Sequence, residues 1–212
     1  FTVLRGTGTI TPGDYALHTR SGDLEIGVGA DAVWMDMAAP QDGRTFTEAE
    51  QEELYAAYGL TLVNRPEGLE PQAVSTGLMD ILLPVKDLET LERAEQNEAQ
   101  VTRLSERYNV VGVHMFCPYT PDAAAHCRNF APLYAIPEEA ATGTSNGALT
   151  YYLYRRGLIQ AGADNRFVQG EKMGKPSEIL SRITEDGSGV KVRVGGRALL
   201  TLKCELITGE PT

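Results

Sequence analysis

Residues Glu138 and Glu139 stand four and three positions before Thr142, and Thr142 opens a run of small residues, Gly143, Thr144, Ser145 and Asn146. The stretch that follows, ALTYYLY, is apolar or aromatic on nearly all sides, which predicts a helix that is buried and wrapped rather than amphipathic on a surface. Arg155, Arg156 and Gly157 suit the far end of that helix by dipole and by cap. Small residues in a first turn leave backbone N–H groups open, and open amides together with the helix dipole favour a carboxylate. Two readings stand side by side. Acids and hydroxyls here could simply cap the helix, or the turn could cradle a substrate carboxylate while an adjacent side chain touches the substrate. Spacing alone does not choose between them.

Other residues invite chemistry as well. Arg128 could pair with a substrate carboxylate or with an acid of the protein. The loop QGEKMGKPS offers Gly170, Lys172, Gly174 and Lys175 to a phosphate, but it lacks the G-x4-G-K-[ST] spacing and reads better as a tight turn between strands. His114 and Cys117 with His126 and Cys127 would make four zinc ligands on paper. Adjacent side chains such as His126 and Cys127 diverge, so no metal is expected. The three cysteines, Cys117, Cys127 and Cys204, are odd in number and irregular in spacing, which argues against a disulfide framework. Cys117 and Cys204 lie in strand-like stretches and read as small core residues.

Charge narrows the partners. With 19 Lys and Arg against 29 Asp and Glu, the formal net charge is -10, spread along the chain. Nucleic acid and anionic membrane both need a clustered basic face, so neither is expected as a partner. No apolar run approaches the roughly 18 residues that span a bilayer, and no charged-then-apolar leader opens the sequence. A reducing cytoplasm is the expected compartment.

The elements that must position these residues read as α+β. FTVLRG (1–6) looks like the last turns of a helix closed by Gly6, entered without a cap, so that an upstream segment of the same protein is expected. YALHTRSGDLEIGV and DAVWMDM alternate with period two and predict antiparallel strands turning at Ser21 and Gly22. Pro40 to Arg44 reads as a linker. Thr47-Glu-Ala-Glu50 is a capping box opening a helix that ends at Gly59. Residues 74–85 predict one strand, Asn97 caps a helix carrying Val101, Leu104 and Tyr108, and residues 110–116 suit a buried strand. Val190, Val192 and Val194 mark another strand, and Leu200, Leu202, Cys204 and Leu206 a last one. FTVLRG and YLYRRG (152–157) form a faint internal echo of the kind a duplication leaves.

Four motifs in order, Arg128-Asn-Phe-Ala-Pro132, Pro137-Glu-Glu-Ala-Ala-Thr-Gly-Thr144, Phe167-Val-Gln-Gly170 and Met173-Gly-Lys-Pro-Ser177, closely resemble the C-terminal part of the PhzF-like (phenazine biosynthesis-like) isomerases. That resemblance implies the diaminopimelate epimerase-like fold, two pseudo-symmetric halves, each a barrel-like sheet wrapped around a central helix, with the first half incomplete here. Residues 1–42 would be the remainder of the N-terminal half and 43–212 the C-terminal half, a last strand returning to the first. It implies an isomerase that needs no cofactor and shifts a proton on a small carboxylate-bearing metabolite in the cleft between halves, in proteins that commonly pair as homodimers. Glu139 takes the place of an Asp that contacts the substrate, and Gly143 and Thr144 take the places whose amides and hydroxyl hold its carboxylate; Thr142, Ser145 and Arg128 complete the candidate substrate-binding set. Ala140 replaces a common Pro. Thiol-dependent epimerases of this fold carry Cys where Thr142 stands, and a threonine does not ionise near neutral pH, so two-base cysteine chemistry is not expected. The family's principal acid–base Glu and its Gly-His-Pro motif fall before or at the start of the first central helix, and His18, His114 and His126 lie outside any such motif. The rival class is a non-catalytic module that binds a small acid or completes a structure.

Overall fold

A computed structural model describes residues 1–204 apart from 21 and 188. Its centre is one helix, α5 (Gly143–Arg155), in which every residue from Ser145 to Leu153 is buried. The all-round apolar composition of ALTYYLY demands that enclosure. Strands β5 (Gln72–Ser75), β6 (Met79–Pro84), β11 (Ser177–Asp186) and β12 (Gly189–Gly196) pack against α5. Leu149, Tyr152 and Leu153 meet Phe116, Phe167, Ile179, Ile183 and Val192 in this inner core.

Among the described residues the remaining strands join the same twelve-stranded sheet. They are β1 (Gly13–Thr19), β2 (Gly22–Val28), β3 (Val33–Asp36), β4 (Gln41–Thr45), β7 (Val113–Cys117), β8 (Ala125–Ala131), β9 (Ile136–Glu139) and β10 (Asp164–Gln169). The order runs β1-β2-β3-β12-β11-β10-β8-β7-β6-β5-β4, with β9 beside β8. Pairs β6/β7 and β8/β10 are parallel and the rest antiparallel. Outside this wall, α2 (Glu48–Ala56), α3 (Leu88–Arg93) and α4 (Glu98–Tyr108) cover a second core of Leu54, Tyr58, Leu91, Val101, Met115 and Phe130. A short α1 (Thr2–Gly6) precedes β1.

The α+β class is as expected, and so are two local signals. Thr47 and Glu50 bond reciprocally as a capping box at α2, and the Asn97 side chain accepts from the Gln100 amide to cap α4, whose Val101, Leu104 and Tyr108 are buried.

Five readings are corrected. Residues 41–45 are no linker but edge strand β4, its polar composition matched to its exposure; Gly43 lies so close to Ala73 that a Cβ there would sit 2.8 Å from the Ala73 carbonyl oxygen. Residues 74–85 are two strands, because Gly77 turns the chain at φ +140°. The buried strand expected from 110 begins only at Val113. Helix α1 is closed at Thr7, which is right-handed, rather than by Gly6. Residues 200–204 form no strand and Cys204 is exposed, whereas Cys117 is buried; Leu206 lies outside the described residues.

Candidate functional site

Strand β9 delivers Glu138 and Glu139 side by side, and extended backbone sends their side chains apart. Glu138 points back to β8 and takes a bidentate pair from Arg128, at 2.8 Å from Nε and 2.9 Å from Nη2. Arg128 Nη1 also donates to the carbonyls of Leu91 and Ala94, at 3.0 and 2.7 Å. The guanidinium therefore ties β8 to β9 and to the end of α3, which is the second of the two roles open to it from sequence.

Glu139 turns toward α5. The Thr142 hydroxyl donates to Glu139 Oε2 at 2.8 Å, and Glu139 Oε1 has no protein partner among the described residues. Thr142 is the N-cap residue, yet its side chain makes no capping bond. The amides of Gly143, Thr144 and Ser145 are the first three of the helix, and none meets a protein acceptor among the described residues. Gly143 and Thr144 are half-buried. The Thr144 carbonyl accepts from Thr76 Oγ1 at 3.0 Å, which fixes the turn to the β5–β6 connection. Open donors, a positive helix end and a held carboxylate with one free oxygen thus lie within the seven residues from Glu139 to Ser145.

Of the candidate residues, Glu139, Thr142, Gly143 and Thr144 come together. Ser145 shares the turn through its amide, but its side chain faces inward and donates to Asp80 Oδ2 at 2.5 Å. Arg128 stands apart in its ion pair.

Asp80 was not singled out from sequence, although an acid inside LMDILLPV is a signal. It is 3% exposed. Burial pushes its pKa up to about 6, aided by the nearby Glu139 charge and opposed by the bonds from Ser145 and the Gly112 amide. His114 is buried too, with Nδ1 at 3.0 Å from Asn129 Oδ1. Burial takes its pKa down to about 4, so it is neutral at neutral pH. His126 lies between Glu171 and Asp122, at 2.6 and 3.1 Å. Both histidines among the paper zinc ligands therefore have other partners, and among the described residues no group of three or more His, Cys, Asp and Glu side chains could hold a metal. The loop after β10 is a 3₁₀ turn, Glu171–Met173, bounded by left-handed Gly170 and Gly174, as the tight-turn reading requires. A cavity of about 270 Å³ beneath α3, lined by His126, Arg128, Glu171 and Lys172, includes none of residues 139–145.

The arrangement has counterparts. The sequence profile of the phenazine biosynthesis-like protein (PhzC-PhzF) family matches residues 2–204. The chain belongs to that family. A phenazine biosynthesis protein of the PhzF family from Bacillus anthracis superposes with a TM-score of 0.83 at 25% identity, over 92% of this chain and 69% of that one. An uncharacterized isomerase from Deinococcus radiodurans is 35% identical over 179 residues, 82% of this chain and 58% of that protein. A trans-2,3-dihydro-3-hydroxyanthranilate isomerase from Pseudomonas fluorescens is 37% identical over 73 residues, 30% of this chain and 26% of its own. This phenazine biosynthesis-like chain thus spans little more than half the length of the Deinococcus relative. Its fold is the epimerase-like one expected from the motifs, and no helix among the described residues is long and apolar enough to cross a membrane.

Proposed function

We propose that this chain forms the carboxylate-binding side of a cofactor-independent isomerase that shifts a proton on a small carboxylate-bearing metabolite in a cleft at the start of α5. The observation that carries the reading is the uncapped first turn, with the amides of Gly143, Thr144 and Ser145 open beside Glu139. A proton next to a carboxylate is weakly acidic, so its removal needs fixed donors where negative charge grows. Helix amides supply them without reorganisation, and Glu139 Oε1 is placed to meet the substrate beside them. The isomerases among the relatives support the reaction class. The division into residues 1–42 and 43–212 belongs to the same proposal, and the pairing of β3 with the late strand β12 supports a return of the chain to its first part.

Benzoate, a minimal rigid carboxylate, tests the cradle. Its addition should move the amide NMR signals of Gly143, Thr144 and Ser145, and Gly143→Val should abolish that response. A Cβ at Gly143 meets only Val194 Cγ2 at 3.5 Å, an ordinary contact, so the fold should stand. Thermal stability and benzoate response falling together would show the turn to be only a cap. Deuterium uptake from heavy water into a substrate such as trans-2,3-dihydro-3-hydroxyanthranilate then tests the proton shift.

A further inference from the structure

Behind the cradle runs a buried chain of polar side chains whose bonds all point one way. Asn146 Nδ2 donates to the Thr142 carbonyl at 2.9 Å and to Gln169 Oε1 at 2.8 Å. Gln169 Nε2 donates to the Glu139 carbonyl at 2.7 Å and to Thr142 Oγ1 at 3.0 Å. Thr142 Oγ1 donates in turn to Glu139 Oε2 at 2.8 Å. Asn146 and Gln169 are both fully buried.

The direction of this chain is forced. Asn146 Nδ2 and Gln169 Nε2 each face a backbone carbonyl, which accepts only, so each must be the amide nitrogen and neither side chain can be flipped. Gln169 Oε1 is then the acceptor of the pair with Asn146. Because Thr142 Oγ1 receives the Gln169 proton, its own hydrogen is free to go to the carboxylate. At the far end Cys127 Sγ donates to Asn146 Oδ1 at 3.7 Å; burial pushes that thiol well above its usual range, so it stays protonated and able to donate.

A bond network that only filled the core would have no need to end on a carboxylate. This one fixes Glu139 twice, at its backbone carbonyl and at Oε2, and leaves Oε1 without a protein partner among the described residues. We infer that Gln169 and Asn146 are positioning residues, which act through Thr142 to hold the Glu139 carboxylate in a single orientation toward the substrate. The inference rests on the isomerase reading for its purpose and on the bond directions for its geometry. It also gives Thr142 a role of its own: the hydroxyl is a donor to Glu139, and a valine of nearly the same shape cannot replace it.

The test uses the full-length protein that carries this chain, with its Thr142→Ser, Thr142→Val, Gln169→Met and Thr142→Val/Gln169→Met variants. First, the ¹³C signal of the Glu139 carboxyl carbon, assigned by its loss in Glu139→Gln, is read at neutral pH. It should move in Thr142→Val and in Gln169→Met, return in Thr142→Ser, and move no further in the double variant. Second, deuterium uptake into trans-2,3-dihydro-3-hydroxyanthranilate is followed. Each single loss should lower kcat by about tenfold to a hundredfold, the cost of a misplaced reacting group, with KM within about twofold and with Thr142→Ser close to the parent.

A carboxyl signal unmoved by Thr142→Val, or kinetic losses that simply add in the double variant, would overturn the relay and leave the isomerase reading intact. A signal that moves as expected in a full-length parent with no proton exchange would overturn the isomerase reading and keep the relay as geometry. Should Gln169→Met fail to fold, Thr142→Val decides alone, since it differs from the parent only by a methyl for the hydroxyl, with Thr142→Ser restoring the hydroxyl.

Discussion

Asp80 sets a pH dependence on the stability of this fold that can be worked out from its surroundings. Its folded pKa is about 6 against an ordinary value of 3.8, chiefly because burial disfavours the charged form. Between these values the folded chain holds a proton that the unfolded chain has released. Stability therefore falls as pH rises through that window. The full contribution is present below pH ~4, is mostly lost by pH ~6, and is flat above. A shift of about two units at 1.36 kcal/mol each makes the loss about 3 kcal/mol, an upper figure because the chain relaxes around a charge. Asp80→Asn removes the titration and keeps an oxygen that can accept from the Gly112 amide. Urea unfolding of both proteins at intervals from pH 4 to pH 7.5 isolates the effect, since every other carboxyl cancels in the difference. The variant should gain about 2–3 kcal/mol on the parent across pH 4–6 and nothing further above pH 6.5. A difference that stays level across the whole range would refute the reasoning: Asp80 would then be as well solvated, or as well bonded, when folded as when unfolded.

Two further substitutions follow from close contacts. Glu138→Ala leaves the Arg128 guanidinium buried with, among the described residues, the carbonyls of Leu91 and Ala94 as its hydrogen-bond acceptors and the Phe130 ring beside it, and should cost about 3 kcal/mol in urea unfolding; joint replacement by Arg128→Met and Glu138→Leu should recover much of it. Gly112→Ala would put a Cβ 2.0 Å from the Phe130 carbonyl oxygen, a backbone atom of the neighbouring strand that cannot step aside. A melting temperature within a few degrees of the parent would contradict the destabilisation of about 3 kcal/mol expected of that overlap.

Much of the site could be read from the chain because its signals are local. A helix apolar on all sides has to be enclosed, and an entrance of Thr, Gly, Thr and Ser has few side chains able to close over its amides; α5 has both properties. The capping box at Thr47 and the Asn97 cap were legible for the same reason, since each is settled within four residues. What could not be read depends on partners distant in sequence. Residues 41–45 resemble a linker because β4 is an exposed edge, and only its pairing with β5 reveals it as a strand. Gln169 stands beside a recognisable Gly170, but nothing nearby shows that its amide reaches Thr142, 27 residues earlier. Arg128 and Glu138 are ten residues apart, and both readings of the arginine stayed open until β8 and β9 were seen to be neighbours.

The pairing of β3 with β12 also governs how the molecule can be made. Asp36 lies opposite Arg193, so roughly 150 residues separate two strands that share a ladder. At ribosomal speeds of 5–20 residues per second the earlier strand waits on the order of ten seconds for its mate. During that interval β3 keeps an unpaired edge, and Ile26 and Val28 are the fully buried residues of β1 to β3, so the ribbon carries little apolar surface of its own. That edge is open to chance pairing with other strands. Its cover arrives only with the second strand of the ladder.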